Sequence, residues 1–223
     1  MDMRMGGVSA AIFDLDGTIA DSLWVWNLID EKFFDRRGIL LPQDYKDTIK
    51  GMGFSQAAAY TKRRFALEQS EQEIVGEWYS MAIEEYSYNI RIKAGVREYL
   101  EYLQGVGVKI GLATASGREL FEPLLKNNGI YDFFDAFATT DEAGRDKTFP
   151  DVYLLCAKRL FAQPCNCMVF EDILPGVRSS KSAGMQVTGV FDRFSETERQ
   201  AVEAEADFFI EDFRNAPRFR QLS

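Results

Sequence analysis

Two aspartates separated by one residue follow the first apolar segment of the chain. Residues 8–13 read as a buried strand that runs directly into Asp14-Leu-Asp-Gly-Thr18. Alternate residues of an extended backbone point to the same side, so the carboxylates of Asp14 and Asp16 can address one site. Gly17 permits the tight turn behind them. Such a motif can also be a solvated turn, but its position after a buried strand favours a functional site.

Three further polar clusters follow apolar segments later in the chain. Residues 114–118 (TASGR) offer hydroxyls and backbone N–H groups at a helix start, which suits a phosphate cradle or ordinary helix capping. Lys147 precedes Pro150, a residue typical of a helix start, and could reach the same site or lie on the surface. Glu171 and Asp172 end an apolar segment, where adjacent carboxylates are costly without a compensating cation or donor. This cost indicates a metal ligand.

The sequence contains no histidine. Ser-His-Asp and Cys-His catalysis are therefore excluded, as is the commonest zinc ligand. Acid–base and metal chemistry must come from carboxylates, assisted by Lys, Ser, Thr or Tyr. Carboxylate oxygens are hard ligands and suit Mg²⁺.

The elements that must position these residues form an alternating pattern. Six apolar segments read as strands: 8–13, 108–113, 134–138, 168–170, 186–191 and 207–210. Helical patterns lie between them, at 95–104, 120–127, 152–161 and 175–182. This alternation predicts an α/β fold with a Rossmann-like parallel sheet that is covered on both faces. In such sheets the chemistry gathers beyond the carboxyl ends of the strands.

Residues 20–92 interrupt this alternation. They contain no convincing strand, and the stretches 22–36, 44–49, 56–66 and 71–86 have a helical pattern. We therefore predict a catalytic core formed by residues 1–19 and 93–223, and an inserted α-helical domain formed by residues 20–92.

The composition limits the partners. The formal net charge is -9, so we expect binding to neither nucleic acid nor anionic membrane surfaces. The apolar segments are shorter than the roughly 20 residues that span a bilayer, and no export signal is recognisable. Cys156, Cys165 and Cys167 are too few for a disulfide framework and wrongly spaced for zinc, so we expect reduced thiols in a cytoplasmic protein.

In this order and at these strand ends, the four clusters resemble the motifs of the haloacid dehalogenase superfamily. Its members carry DxDGT, a Ser or Thr after the second strand, a Lys followed by a Pro-Asp pair, and a closing pair of acids. Residues 94–100 (AGVREYL) are similar to the family's PGVxExL. The resemblance covers essentially the whole chain, and residues 20–92 resemble the small helical cap of the family.

The resemblance implies a role for each carboxylate. Asp14 would attack phosphorus, and Asp16 would protonate the leaving oxygen and then activate the water that hydrolyses the aspartyl-phosphate. Mg²⁺ would be bound by the Asp14 carboxylate, the backbone carbonyl of Asp16 and Asp172, with Glu171 nearby. The implied activity is Mg²⁺-dependent hydrolysis of a small phosphomonoester, with a sugar phosphate as the favoured class and a monomer as the expected state.

The resemblance also implies residues that bind the phosphoryl group and the substrate. The phosphoryl oxygens would be neutralised by Thr114, the Ala115 amide and Lys147. Arg145 could replace Lys147, although the spacing to the Pro-Asp pair favours Lys147. Candidate contacts to the rest of the substrate are Ser116, Arg118, Lys50 and Trp26, where aromatic residues of the cap could equally belong to its core.

Asp16 favours phosphate ester chemistry over the dehalogenase and phosphonatase branches, which lack an acid at this position. The main alternative is a β-phosphoglucomutase-type mutase. Such mutases carry a histidine on the first cap helix and an arginine between cap helices, where this sequence has no histidine and Phe54. Lys50, Arg63 or Arg64 could substitute for the cationic contact. A third hypothesis is a non-catalytic phosphate-binding protein on the same fold.

Overall fold

The computed structural model describes residues 7–49, 52 and 54–219. The chain divides into two compact units. The core unit comprises Met1–Ser22 and Ile90–Ser223, and the helical unit comprises Leu23–Asn89.

The helical unit contains four helices within its described residues: α1 (Trp24–Asp35), α2 (Tyr45–Ile49), α3 (Phe54–Phe65) and α4 (Glu71–Tyr88). A capping box fixes the start of α4, because the Ser70 side chain accepts from the Glu73 amide while the Glu73 carboxylate accepts from the Ser70 amide. The apolar side chains of α1 and α4 then face each other, with the rings of Phe33 and Trp78 5.5 Å apart.

A parallel sheet of six strands forms the centre of the core unit, counted over the described residues. Its spatial order is β3-β2-β1-β4-β5-β6. The strands are β1 (Ala10–Phe13), β2 (Lys109–Thr114), β3 (Ala136–Thr139), β4 (Cys167–Glu171), β5 (Gln186–Val190) and β6 (Phe208–Ile210). The α/β fold with a Rossmann-like parallel sheet is therefore confirmed.

Helices cover this sheet. They are α5 (Val96–Gly105), α6 (Arg118–Asn127), α7 (Thr140–Ala143), α8 (Asp151–Arg159), α9 (Leu174–Ser182) and α10 (Arg199–Glu205). Within the described part of the chain, none of the helices has both the length and the apolar composition that crossing a bilayer requires.

Strand β1 is held on both sides and on both faces. Phe13 lies in register with Leu112 of β2 and Phe170 of β4. The rings of Phe13 and Phe170 stack 4.6 Å apart on one face, and Ile12 packs into the core cluster on the other. The residue that follows β1 is consequently fixed at the carboxyl edge of the sheet.

Candidate active site

The site begins where three neighbouring strands end. Asp14 follows β1, Thr114 is the last residue of β2, and Glu171 is the last residue of β4. The Asp14 amide donates to the carbonyl of Phe170 at 3.0 Å, which continues the β1–β4 pairing. All three polar residues are buried, so the sheet places them together at one edge without exposure to bulk water.

A cluster of three carboxylates lies at this edge. Asp14, Glu171 and Asp172 each contribute an oxygen, and these oxygens lie within 4.8 Å of one another. Burial raises the pKa of Asp14 to about 7, against the attraction of Lys147 and with the help of the Glu171 charge. Burial and the charges of Glu171 and Asp14 also raise the pKa of Asp172. Three mutually repelling oxygen donors in a buried place fit a hard divalent cation such as Mg²⁺.

Lys147 is the cation that contacts this cluster. Its Nζ donates to Oδ1 of Asp14 and Oε1 of Glu171, and only 8% of the residue is exposed. Although burial opposes protonation, the two carboxylates outweigh it and raise the pKa of Lys147. Arg145 instead places its guanidinium 4.5 Å from the ring centre of Phe149. Of the two candidate cations, the structure therefore brings Lys147 to the cluster.

Glu171 holds this arrangement in place. Its Oε1 accepts from Lys147 and from the Tyr153 hydroxyl at 2.7 Å. Its Oε2 accepts from the backbone amides of Asp172 and Ile173, at 2.9 and 3.2 Å. Both oxygens thus serve a positioning role, and direct metal ligation by Glu171 stays a prediction.

A glycine on α9 makes room for this carboxylate. A Cβ atom at Gly176 would lie 2.5 Å from Cδ of Glu171 and 2.6 Å from the hydroxyl of Tyr153. Gly176→Ala is therefore expected to lower the free energy of unfolding by about 1–3 kcal/mol through overpacking. Thermal unfolding measures this. Gly105→Ala is the matched control, since a Cβ there meets no atom within 4 Å, and an equal loss in both variants would contradict the packing argument.

Asp16 is oriented by two hydroxyls. The Ser22 hydroxyl donates to Oδ1 of Asp16 at 2.7 Å, and the Ser116 hydroxyl donates to Oδ2 at 2.6 Å. The turn that follows Asp16 contains Gly17, whose φ of 78° lies in the left-handed region. Asp16 is half-buried, and its carboxylate is held in one orientation at the edge of the cluster.

The loop after β2 is organised by Thr114. Its buried hydroxyl accepts from the Ser116 amide at 2.9 Å, while the N-cap of α6 is Gly117. Because Gly117 occupies the N-cap position, Thr114 does not cap α6. The helix-capping interpretation of residues 114–118 therefore does not apply to Thr114. Ala115 is exposed in the same turn, and phosphate binding by Thr114 and Ala115 stays a prediction.

Asp172 is flanked by residues from two loops. Its Oδ1 accepts from the Thr18 hydroxyl at 3.2 Å and its Oδ2 from the Ser195 hydroxyl at 3.1 Å. Lys93 ties the same loops together, because its Nζ donates to the carbonyl of Gly17 and lies 2.8 Å from Oδ2 of Asp192. The charge of Lys93 also opposes the upward shift of the Asp172 pKa.

The four predicted substrate contacts lie in different parts of the chain. The Ser116 hydroxyl is engaged by Asp16, as described. Arg118 lies on the exposed surface of α6, where its Nη1 is 3.2 Å from the Glu122 carboxylate. Trp26 lines a cavity of the helical unit, and Lys50 lies outside the described residues. Their contact with a substrate stays a prediction.

Several positioning residues were missed by the sequence analysis: Ser22, Lys93, Tyr153, Ser179 and Ser195. The Ser179 hydroxyl donates to the backbone carbonyl of Lys147 at 2.7 Å, so it fixes the loop that carries the Lys147 side chain. Tyr153 lies two residues beyond the Pro-Asp pair and could have been found there. Ser195 lies in a 3₁₀ segment, Arg193–Glu198, with no local signal that points to Asp172.

Comparisons with known proteins identify a family and several similar chains. A family model described as haloacid dehalogenase-like hydrolase matches residues 11–190. Hexitol phosphatase B of Escherichia coli is 30% identical over 182 residues, which cover 80% of this chain and 82% of that protein. Beta-phosphoglucomutase of Bacillus subtilis is 28% identical over 191 residues, covering 82% and 83%. A crystal structure of beta-phosphoglucomutase from Clostridium difficile superposes with a TM-score of 0.70 at 25% identity and covers 92% of each chain.

Proposed function

The chain belongs to the haloacid dehalogenase-like hydrolases, and we propose that it is a Mg²⁺-dependent phosphatase that forms an aspartyl-phosphate on Asp14. The observation that carries this proposal is the buried cluster of Asp14, Glu171 and Asp172, with Lys147 donating to two of its members. The substrate is a small phosphomonoester. A sugar phosphate is the favoured class, since hexitol phosphatase B is among the relatives.

In the first step, a carboxylate oxygen of Asp14 attacks phosphorus and the bond from phosphorus to the ester oxygen breaks. Asp16 gives its proton to the departing oxygen, so the alcohol leaves neutral. The hydroxyls of Ser22 and Ser116 hold Asp16 at 2.7 and 2.6 Å for this transfer. Lys147 stabilises the anionic form of Asp14 and the negative charge of the phosphoryl group.

In the second step, Asp16 takes a proton from water, and the water oxygen attacks the phosphorus of the aspartyl-phosphate. The bond to Asp14 breaks, which releases inorganic phosphate and restores the carboxylate. Thr114 and the Ala115 amide bind phosphoryl oxygens in both steps. The buried position of Thr114 at the end of β2 supports this assignment.

Mg²⁺ fits the donor set of Asp14 and Asp172, completed by the backbone carbonyl of Asp16 and with Glu171 beside them. When bound, it lowers the repulsion between the anionic nucleophile and the anionic substrate. The raised pKa values of Asp14 and Asp172 support this assignment, because a cation compensates carboxylates that otherwise retain protons.

Addition of Mg²⁺ is therefore expected to raise the unfolding temperature, by about 5–10 °C at a hundredfold excess over the dissociation constant. Asp172→Asn should remove most of this increase, because it removes a proposed ligand. Differential scanning calorimetry at pH 7 measures both. Asp132→Asn, at an exposed position, is the control and should keep the full increase. An equal increase in all three proteins would exclude Asp172 as a ligand.

The inserted helices form the cap of this enzyme in our proposal. The cap corresponds to residues 20–92 and the catalytic core to residues 1–19 and 93–223. Trp26 and Lys50 of the cap, with Ser116 and Arg118 of the core, are the proposed contacts to the group that carries the phosphate. We place the enzyme in the cytoplasm, as a monomer whose partner is a small phosphorylated metabolite.

A panel of phosphomonoesters tests the proposal, with phosphate release measured with and without Mg²⁺. Release that requires Mg²⁺ is the expected result. The similarity to beta-phosphoglucomutase favours one second candidate, a phosphosugar mutase. The panel therefore includes β-glucose 1-phosphate with a trace of glucose 1,6-bisphosphate, and faster isomerisation than release would replace the phosphatase by the mutase. No turnover by folded protein would contradict both.

A further inference from the structure

Lys93 is a lysine of the core unit that the proposed phosphoryl-transfer steps do not use. It precedes α5 in the sequence, and its side chain is only 13% exposed. An ammonium group has three N–H donors, and three acceptors surround this one. Its Nζ donates to the carbonyl of Gly17, to the carbonyl of Phe191 at 2.8 Å and to Oδ2 of Asp192 at 2.8 Å. Lys93 therefore has no donor left for a phosphoryl oxygen, and its role lies in these contacts.

The first contact anchors the turn that follows Asp16. The carbonyl of Gly17 accepts from Lys93, and the amide of Gly17 donates to the carbonyl of Ala20 at 3.0 Å. The Gly17 amide belongs to the same planar peptide unit as the Asp16 carbonyl. Because the peptide units on both sides of Gly17 are anchored, the direction of the Asp16 carbonyl is fixed. This carbonyl is a proposed ligand of Mg²⁺.

The other two contacts anchor the segment that follows β5. Asp192 is 4% exposed, and its Oδ1 accepts from the Phe194 amide at 2.8 Å. The backbone carbonyl of Asp192 accepts from the Ser195 amide at 3.1 Å. The Ser195 hydroxyl in turn donates to Oδ2 of Asp172 at 3.1 Å. Through Ser195, the ion pair of Lys93 and Asp192 is therefore connected to the carboxylate of Asp172, a second proposed ligand of Mg²⁺.

One ion pair thus supports two oxygen donors that come from different loops. Residues that orient metal ligands without touching the metal typically contribute about 10–100-fold to metal affinity. We propose that Lys93 and Asp192 are positioning residues that set the affinity of the site for Mg²⁺, because they hold the loops after β1 and β5 in the arrangement that one cation requires. The inference deepens the proposed function and rests on it for the identity of the ion and of its ligands.

The sign of the effect separates positioning from simple charge repulsion. A positive charge close to a metal site repels the metal ion, so removal of the Lys93 charge by itself would tighten Mg²⁺ binding. Loss of the anchored loops would weaken it. Because the carboxylate of Asp192 lies 2.8 Å from the ammonium and offsets its charge, we expect the loss of anchoring to dominate.

Isothermal titration calorimetry of Mg²⁺ into the substrate-free, full-length protein measures this affinity directly. Lys93→Met should raise the Kd for Mg²⁺ about tenfold. The double variant Lys93→Met/Asp192→Asn should show about the same increase, because it keeps the net charge of the wild type but lacks the anchoring ammonium. It also removes the buried carboxylate that Lys93→Met leaves unpaired, so it keeps the test decisive if the single variant does not fold.

Lys109→Met is the matched control for the calorimetry. Lys109 pairs with Asp135 at 2.9 Å, and both residues are exposed. Lys109 is the first residue of β2, whereas the carboxylate cluster lies at the carboxyl ends of the strands. The control therefore removes the same charge from a similar ion pair away from the site, and it should keep the Kd of the wild type.

Kinetics should show the same separation. In Lys93→Met the Mg²⁺ concentration that gives half-maximal phosphate release should rise about tenfold. The kcat at saturating Mg²⁺ should stay within about threefold of the wild type, because the three donors of Lys93 are engaged by loops and not by the reacting groups. A residue with a merely structural role would lower the unfolding temperature and leave both Mg²⁺ constants unchanged.

Four results would each overturn the inference. They are an unchanged Kd in the folded variants, tighter Mg²⁺ binding by Lys93→Met, recovery of the wild-type Kd in the double variant, and no Mg²⁺ binding by the wild type. The calorimetry contains no substrate. Absence of phosphate release together with the expected rise in Kd would therefore count against the phosphatase proposal alone, whereas an unchanged Kd in an active enzyme would count against this inference alone.

Discussion

Replacing Asp14 by Asn is expected to lower phosphate release by about 10⁴-fold or more, because an amide cannot attack phosphorus as a carboxylate does. The protein should remain folded. Burial already disfavours the charged form of Asp14, so a neutral isostere relieves repulsion from Glu171 and Asp172. The measurement is kcat on the best substrate of the panel at saturating Mg²⁺, together with the unfolding temperature.

Asp132→Asn is the matched control for this experiment, since Asp132 is exposed and should keep wild-type activity. If Asp14→Asn stayed within tenfold of the wild type, the aspartyl-phosphate mechanism on this residue would be lost. An inactive variant with a much lower unfolding temperature would instead indicate a structural role for Asp14. The variant Asp14→Glu, which keeps a carboxylate but shifts its position, would then be compared with the wild type.

The second large effect is expected for Lys147→Met. Loss of the ammonium should lower kcat by about 10³-fold, since a charged donor to the phosphoryl oxygens disappears. It should also destabilise the fold by about 3–5 kcal/mol at neutral pH, because the buried carboxylates of Asp14 and Glu171 lose their partner. Phosphate release and chemical denaturation measure these two quantities separately.

The pH dependence of this variant has a definite sign. Asp14 has a pKa of about 7 in the folded protein, above its ordinary value, and Lys147 is the group that opposes this increase. A raised carboxyl pKa means that the folded state binds more protons, so stability without metal falls as the pH rises from about 4 towards 7. In Lys147→Met the pKa of Asp14 should rise further, so the fall in stability should continue above pH 7.

Lys158→Met serves as the control for the lysine experiment, because Lys158 is exposed on α8. It should keep both the activity and the pH profile of the wild type. Lys147→Arg preserves the charge and should recover stability more than activity, since the longer planar group cannot occupy the same position. A Lys147→Met protein with normal activity would remove this residue from the proposed mechanism.

The strands were predictable because each is a short apolar segment bounded by turn residues, and their observed ends lie within a few residues of the expected ones. The two short helices α7 and α10 were not predictable from the sequence. α7 is a single turn that depends on the capping box of Thr139 and Glu142. α10 buries only Val202, so its sequence has too little apolar periodicity to predict a helix.

The polar clusters of the site were predictable for a related reason. Each lies directly after an apolar strand, and parallel strands bring their carboxyl ends to one edge. The hydrogen bonds that position these clusters were not predictable, because they join segments that are distant in the sequence and meet only through packing. Ser179 reaches the carbonyl of Lys147, 32 residues away in the chain, and Ser195 reaches Asp172, 23 residues away.

The central position of β1 has a consequence for biosynthesis. Its sheet neighbours begin at Lys109 and Cys167, whereas β1 itself ends at Phe13. At about 5–20 residues per second, a ribosome needs roughly 5–20 s to add β2 after β1 has been made. During that interval an apolar strand has no hydrogen-bonding partner in the sheet, which makes it a binding site for a chaperone. A nascent chain that stops before β4 carries Asp14, the proposed nucleophile, but lacks Glu171 and Asp172, so we expect phosphatase activity only after residue 172 has been synthesised.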